Sequence, residues 1–134
     1  MYIKNRSLAT DYMGMHDLTD EVQAVVAESK VKCGICHISM LHSTAGLVIS
    51  AKDEAIRRDV MADIERMVPT RVDFKHRETA SDAGGHVKTA LTNSQISVIV
   101  QEGTLVLGEQ QAIVFAEFDG PRPRSYTVCV YSEE

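Results

Sequence analysis

The chain contains no tryptophan, and aromatic residues make up 5% of its 134 positions. A groove that stacks the bases of single-stranded nucleic acid needs several aromatic platforms, and this composition does not supply them. An excess of cations is missing as well. Fourteen Lys and Arg against 19 Asp and Glu give a net charge of −5, which argues against general affinity for nucleic acid or an anionic membrane surface. Three cysteines are too few, and odd in number, for a disulfide framework, so a reducing cytoplasm is the expected location. No apolar run approaches the ~20 residues of a membrane span. Residues 1–7 also lack the apolar core of a signal peptide. Repeats, low-complexity tracts and linkers are absent, so the expectation is a single domain over residues 1–134.

What is present is ordinary for a globule: 44% hydrophobic and 25% charged residues. Residues 1–10 read as a strand. From Leu18 to Lys30 the positions Leu18, Val22, Val25 and Val26 share one helical stripe, with Asp17 or Thr19 placed to cap it. Lys32 to Leu41 reads as a buried strand, and Leu47–Ile49 as the next. Residues 53–67 carry a helical pattern whose predicted core stripe is Ile56, Val60, Ile64 and Met67, with Arg57 and Arg58 facing mostly outward. Pro69 ends it. Residues 68–84 are polar and irregular, long enough to be a candidate functional loop. Gly84-Gly85 precedes a short helix around His86–Leu91. Beyond it lie Ile96–Val100, a tight hairpin turn at Glu102-Gly103, then Leu105–Leu107, Ala112–Phe118 and Tyr126–Tyr131, which read as an antiparallel meander. Helices packed on antiparallel strands give an α+β fold.

Two segments stand out, His42-Ser-Thr-Ala-Gly-Leu-Val-Ile49 and Ser81-Asp-Ala-Gly-Gly-His-Val-Lys88. Each sets an imidazole beside small residues at the end of an apolar run, where a rigid element can hold a site. His76 lies in the loop between them. Three such imidazoles with Asp82 suffice for a catalytic ion with an open position, or for acid–base chemistry near neutral pH. Three unrelated surface histidines would look the same in sequence. If Asp82 caps the helix, its first amides with Lys88, Ser43 and Thr44 can receive a phosphate; a plain cap fits as well. Asp119-Gly-Pro-Arg-Pro-Arg124 sets two guanidinium groups, Arg122 and Arg124, on a stiffened turn, suited to phosphate or carboxylate oxygens or simply to solvent. Cys33-Gly-Ile-Cys36 has the spacing of a redox or zinc pair, but on a strand positions i and i+3 face opposite sides, and no second pair completes a zinc site. Both read as small packing residues, as does Cys129; His16 and His37 read as structural.

In one order, the chain carries His42-Ser-Thr-Ala-Gly-Leu47, Arg57-Arg-Asp59, Val68-Pro69, Phe74-Lys-His76, Asp82, His86-Val-Lys88, Leu107-Gly108, Gln111 and Phe118-Asp-Gly-Pro-Arg-x-Arg124. This resembles the YjbQ family of small bacterial and archaeal proteins, often labelled secondary thiamine-phosphate synthases, over about residues 5 to 130. The resemblance implies an α+β fold dominated by an antiparallel sandwich or barrel with two to three packed helices, assembled as a homotrimer. It implies a site near subunit boundaries built from His42, His76 and His86 with Asp82, able to hold a divalent metal such as Zn or Mg. Ser43, Thr44, Lys88, Gln111, Arg122 and Arg124 would serve a small phosphorylated substrate. The implied chemistry joins a pyrimidine diphosphate to a thiazole phosphate, a transferase reaction. Two departures bear on it. Ser50-Ala51-Lys52 stands where the family has an Asn-Glu pair, and Gly108-Glu-Gln-Gln111 lacks the family's tryptophan. A noncatalytic ligand-binding trimer, or a metal-dependent hydrolase of a phosphorylated metabolite, therefore stays open beside the synthase.

Overall fold

The structure is a computed structural model describing residues 1–69, 74–75 and 81–133. In chain order the elements are β1 (Tyr2–Ala9), β2 (Met15–Asp17), α1 (Thr19–Ser29), β3 (Cys33–Met40), β4 (Ala45–Ala51), α2 (Glu54–Met67), α3 (Asp82–Leu91), β5 (Gln95–Gln101), β6 (Thr104–Leu105), β7 (Gln111–Glu117) and β8 (Pro123–Tyr131). They form two antiparallel sheets, β1-β8-β3-β5-β6 and β2-β7-β4, and the α+β expectation holds. The meander does not. Only β5 and β6 pair as sequence neighbours, while β7 crosses to the smaller sheet and β8 inserts between β1 and β3. Alternation of side chains specifies a face to bury, not a partner, so it left that choice open.

The main core lies between the sheets. Ile38, Val98, Tyr126, Val128 and Val130 of the larger sheet meet Leu47, Ile113 and Phe115 of the smaller one and the Leu18, Val22, Val25, Val26 stripe of α1. Asp17 starts α1 by accepting the Thr19 amide at 2.9 Å, which gives an acceptor to one of the amide donors that the first turn leaves unmatched. A second cluster joins Met61 of α2 to Ala116 and Phe118. Strand β7 is thus covered on both faces, which is why it reads as a continuous apolar run. At the β5–β6 turn Glu102 and Gly103 have φ of 53° and 75°, the two left-handed positions that a two-residue hairpin requires.

Helix α2 forms as expected, with the Asp53 carboxylate accepting the Ala55 amide at 2.8 Å, but it is turned differently. Met61 is its buried residue, whereas Ile56 is 49% and Met67 73% exposed. Arg57, expected outside, turns inward and donates to the carbonyls of Met15, Ala51 and Lys52 at 3.2, 3.0 and 2.5 Å. These three backbone bonds, with Met61 packed against Ala116 and Phe118, favour that rotation over the more apolar stripe.

Candidate functional site

Strand β3 ends at Met40, whose register partner is Tyr126. Beyond it the chain turns through Leu41–Thr44 into β4. There the His42 ring takes the place of a strand carbonyl, and the Ser125 amide donates to its Nε2 at 3.0 Å. A neutral imidazole has one lone pair, so this bond leaves the proton on Nδ1. Burial and, after it, the Arg124 guanidinium hold the His42 pKa below its ordinary value, which favours that neutral form.

Helix α3 brings the second imidazole. It packs close to β4 and the end of β7 because two contact positions are glycine. A Cβ at Gly46 would lie 2.0 Å from Thr92 Oγ1, and one at Gly85 3.0 Å from the Phe118 carbonyl oxygen. That approach lets His86 Nδ1 donate to the Ser43 carbonyl at 3.1 Å, which makes Nε2 the lone-pair nitrogen of the neutral ring. The two rings therefore have opposite sense: Nδ1–H of His42 is a donor, Nε2 of His86 an acceptor.

The turn after β7 supplies the charges. Arg124 is 4% exposed and grips Glu117, itself 0% exposed. Its Nε donates to Glu117 Oε1 at 2.7 Å, and its Nη2 donates to Glu117 Oε2 and, at 2.9 Å, to Thr44 Oγ1. Glu117 also accepts the Asp119 amide at 3.0 Å and the Thr10 hydroxyl. Burial pushes its pKa up, but Arg124, Thr10 and the Asp119 amide together outweigh this, so the carboxyl stays below its usual range. Arg122 repeats the pattern at the rim, with Nε donating to the Asp119 carbonyl at 3.0 Å and Nη2 to its carboxylate at 2.6 Å. Ser81, which precedes α3, donates to the same carboxylate at 2.5 Å.

These groups line one cleft of about 310 Å³, whose walls are Leu41, His42, Ser43, Thr44, Asp82, His86, Asp119, Arg122 and Arg124. The structure thus brings together His42, His86, Asp82, Ser43, Thr44, Arg122 and Arg124 from the expected set. Asp82 is the first residue of α3 rather than its cap, and is 3% exposed. His76 lies outside the described residues. Lys88 is not on the cleft: it is 1% exposed and ion-paired with Glu65 of α2. Gln111 sits at the start of β7, where its side chain accepts the Gly108 amide at 2.7 Å. Cys33 is exposed and Cys36 buried on the opposite face of β3, and burial pushes the Cys36 thiol up to about 12.

Glu117 was not singled out from the sequence. The signal available was one acid in an otherwise apolar strand, seven residues before Arg124, which reads in hindsight as a buried pair. As for a metal, the His86 ring has the tautomer of a ligand, with Nδ1–H on the Ser43 carbonyl. His42 does not fit as it stands, because its lone pair accepts the Ser125 amide. Among the described residues no group of three His, Cys, Asp or Glu side chains is arranged to hold an ion.

Comparison with known proteins identifies the family and fold of the chain. The chain is 36% identical over 119 residues to the UPF0047 protein MJ1081 of Methanocaldococcus jannaschii, covering 88% of this chain and 85% of that protein. It is 33% identical over 112 residues to YugU of Bacillus subtilis, covering 83% and 84%. The crystal structure of an uncharacterised YjbQ/UPF0047 protein from Clostridium acetobutylicum superposes with a TM-score of 0.90 at 34% identity, covering 96% of this chain and 99% of that one. A YbjQ-like protein of unknown function from Sulfolobus solfataricus does so with a TM-score of 0.92 at 30% identity, covering 98% and 97%. The sequence profile of the family described as "UPF0047 protein YjbQ-like" matches residues 4–133, and the chain belongs to that family.

Proposed function

We propose that the cleft binds a small phosphorylated molecule and that His42 and His86 act on it as a donor–acceptor pair. One observation carries this reading. Both arginines are fixed through Nε and Nη2, and Nη1 of each takes no partner among the described residues, beside two imidazoles of opposite hydrogen-bond sense. Donors already held in place lose little freedom on meeting an oxyanion, and a guanidinium suits phosphate oxygens. In the transferase version implied by the resemblance, a C–N bond forms between the pyrimidine-bearing carbon and the thiazole nitrogen as the C–O bond to diphosphate breaks. Arg122 and Arg124 would take up the charge of the departing diphosphate, and His42 Nδ1–H would donate to one of its oxygens. A hydrolase would use the same groups on water, with His86 Nε2 receiving its proton.

A second reading, a divalent cation held at His86 with Asp82 beside it, is favoured by the tautomer of the His86 ring. We further propose that the protein self-associates, as the homotrimer that the resemblance leads one to expect. Support comes from the outer face of the larger sheet, where the outward positions of β1, β8, β3 and β5 include no Asp, Glu, Lys or Arg.

Calorimetric titration with pyrophosphate tests the main reading. The wild-type chain binds it, and Arg122→Ala weakens binding by about tenfold or more, the loss expected for charge-assisted hydrogen bonds. His86→Ala retains binding within a few fold but slows turnover, of the two thiamine precursors or of a phosphate-ester panel, by about 10²–10⁴. No pyrophosphate binding at millimolar concentration overturns the proposal. Binding without turnover of any of these substrates leaves the noncatalytic alternative, and stoichiometric metal lost on His86→Ala selects the cation reading.

A further inference from the structure

The polar cleft has an apolar neighbour. On the other side of His86 lies a cavity of about 430 Å³ lined by Phe74, Lys75, Ala83, His86 and Val87. His86 belongs to both cavities. Their walls differ in kind: carboxylates, guanidiniums and hydroxyls line one, while an aromatic ring, a methyl and an isopropyl group dominate the other. The Phe74 ring approaches α3 at Gly84, where a Cβ would lie 3.9 Å from ring carbon Cε2. Val87 is 39% exposed, so this wall presents apolar surface to solvent. Cavities of this size hold small molecules, with apolar walls supplying affinity and a few polar groups fixing orientation.

We propose that the two cavities form one binding site for a two-part ligand, a phosphate ester whose ionised head enters the polar cleft and whose apolar, ring-sized body lies against Phe74, Ala83 and Val87. This rests on the oxyanion reading above and adds the substrate class to it. His86, which lines both cavities, then stands at the junction of head and body. Inorganic phosphate and small hydrophilic esters would fill only half the site. Phe74 and Val87 would be the specificity-determining residues, since truncating an apolar wall costs discrimination rather than chemistry.

Phenyl phosphate and methyl phosphate separate the two halves in a calorimetric titration of the full chain. Phenyl phosphate is expected to bind the wild type about tenfold more tightly than methyl phosphate, the order of one well-buried apolar group. Val87→Gln keeps helix propensity at an exposed position and is expected to bring that ratio close to one without changing methyl phosphate binding. Phe74→Ala is expected to do the same from the opposite wall. If methyl phosphate binds and phenyl phosphate binds no better, the two-part site is wrong and the oxyanion reading stands. A phenyl advantage that survives both variants also overturns the two-part site. If neither ester binds, both readings fall.

Discussion

Glu117 is ionised in the interior because four donors face it: the Thr10 hydroxyl, the Asp119 amide, and Nε and Nη2 of Arg124. Without them burial would force the carboxyl neutral. Its folded pKa lies below the ordinary 4.5. A group depressed in this way stabilises the native state above the unfolded value, and that stability is lost as pH falls through the folded one. Glu117→Gln should therefore cost about 3 kcal/mol at pH 7, because it strands the buried Arg124 charge. The gap from wild type should narrow as pH falls below the ordinary 4.5, because the carboxyl of the unfolded chain then takes up a proton while the native one, held lower, still resists it. Urea unfolding at pH 7 and pH 3.5 reads both, and an unchanged gap would rule out the ionised pair. At this scale the sequence was legible for residues whose environment follows from local periodicity. Cys33 and Cys36 fall on opposite faces of β3 as a period of two requires. Glu117 was not legible, because the partner that allows its burial arrives from another strand.

Helix α2 shows what an element hides. Two overlapping stripes compete on it: the predicted Ile56, Val60, Ile64 and Met67 are the more apolar, while Arg57 and Met61, with Ile64 shared by both, face the protein. Amphipathic pattern measures apolarity alone and selects the first; the three backbone bonds of Arg57 and the packing of Met61 favour the second. Lys88 teaches the same lesson from α3. Its place two residues after His86 suggested a phosphate ligand, yet two positions on a helix are about 200° apart, so the side chain points away from the imidazole. It reaches Glu65 and ties α3 to α2 on either side of residues 68–81. The pair is asymmetric, with the ammonium at 1% and the carboxylate at 27% exposure. Removing Glu65 strands a buried cation, whereas removing Lys88 leaves a carboxylate that water still reaches. We expect Glu65→Ala to destabilise by about 3 kcal/mol and Lys88→Met by less than about 1.5 kcal/mol. Thermal or urea denaturation compares them; equal losses would mean the ammonium is not held by this one partner.

Across the whole molecule, the missed element was connectivity. Helices and strand positions followed from residue pattern, but nothing local says that β8 returns between β1 and β3, bringing Ser125 to His42 and Arg124 to Thr44. The cleft is a product of that return, which is why its residues were individually nameable while their arrangement was not. The same return completes the broad outer face of the larger sheet. There Tyr131, Ile35 and Ile99 align in register across three strands at 48%, 41% and 58% exposure, with Ile3 at 60% nearby. In a chain with 25% charged residues, an apolar row among outward strand positions that include no Asp, Glu, Lys or Arg, with Glu133 at its edge, has the composition of an interface core and rim rather than of a solvated surface. A second copy of the chain would present the same uncharged face: two copies meeting through it would close as a two-fold dimer, whereas a ring of three would need each copy's face to cover a different patch on its neighbour. Ile99→Lys places an ammonium in the middle of the row while leaving the monomer's interior untouched. Light scattering after size-exclusion chromatography should find the wild type as an oligomer and Ile99→Lys as a monomer with the same circular dichroism. A monomeric wild type at micromolar concentration would assign this face to a different partner, whereas an oligomer unaffected by the added charge would move the interface elsewhere, to the exposed Ile56 and Met67 of α2.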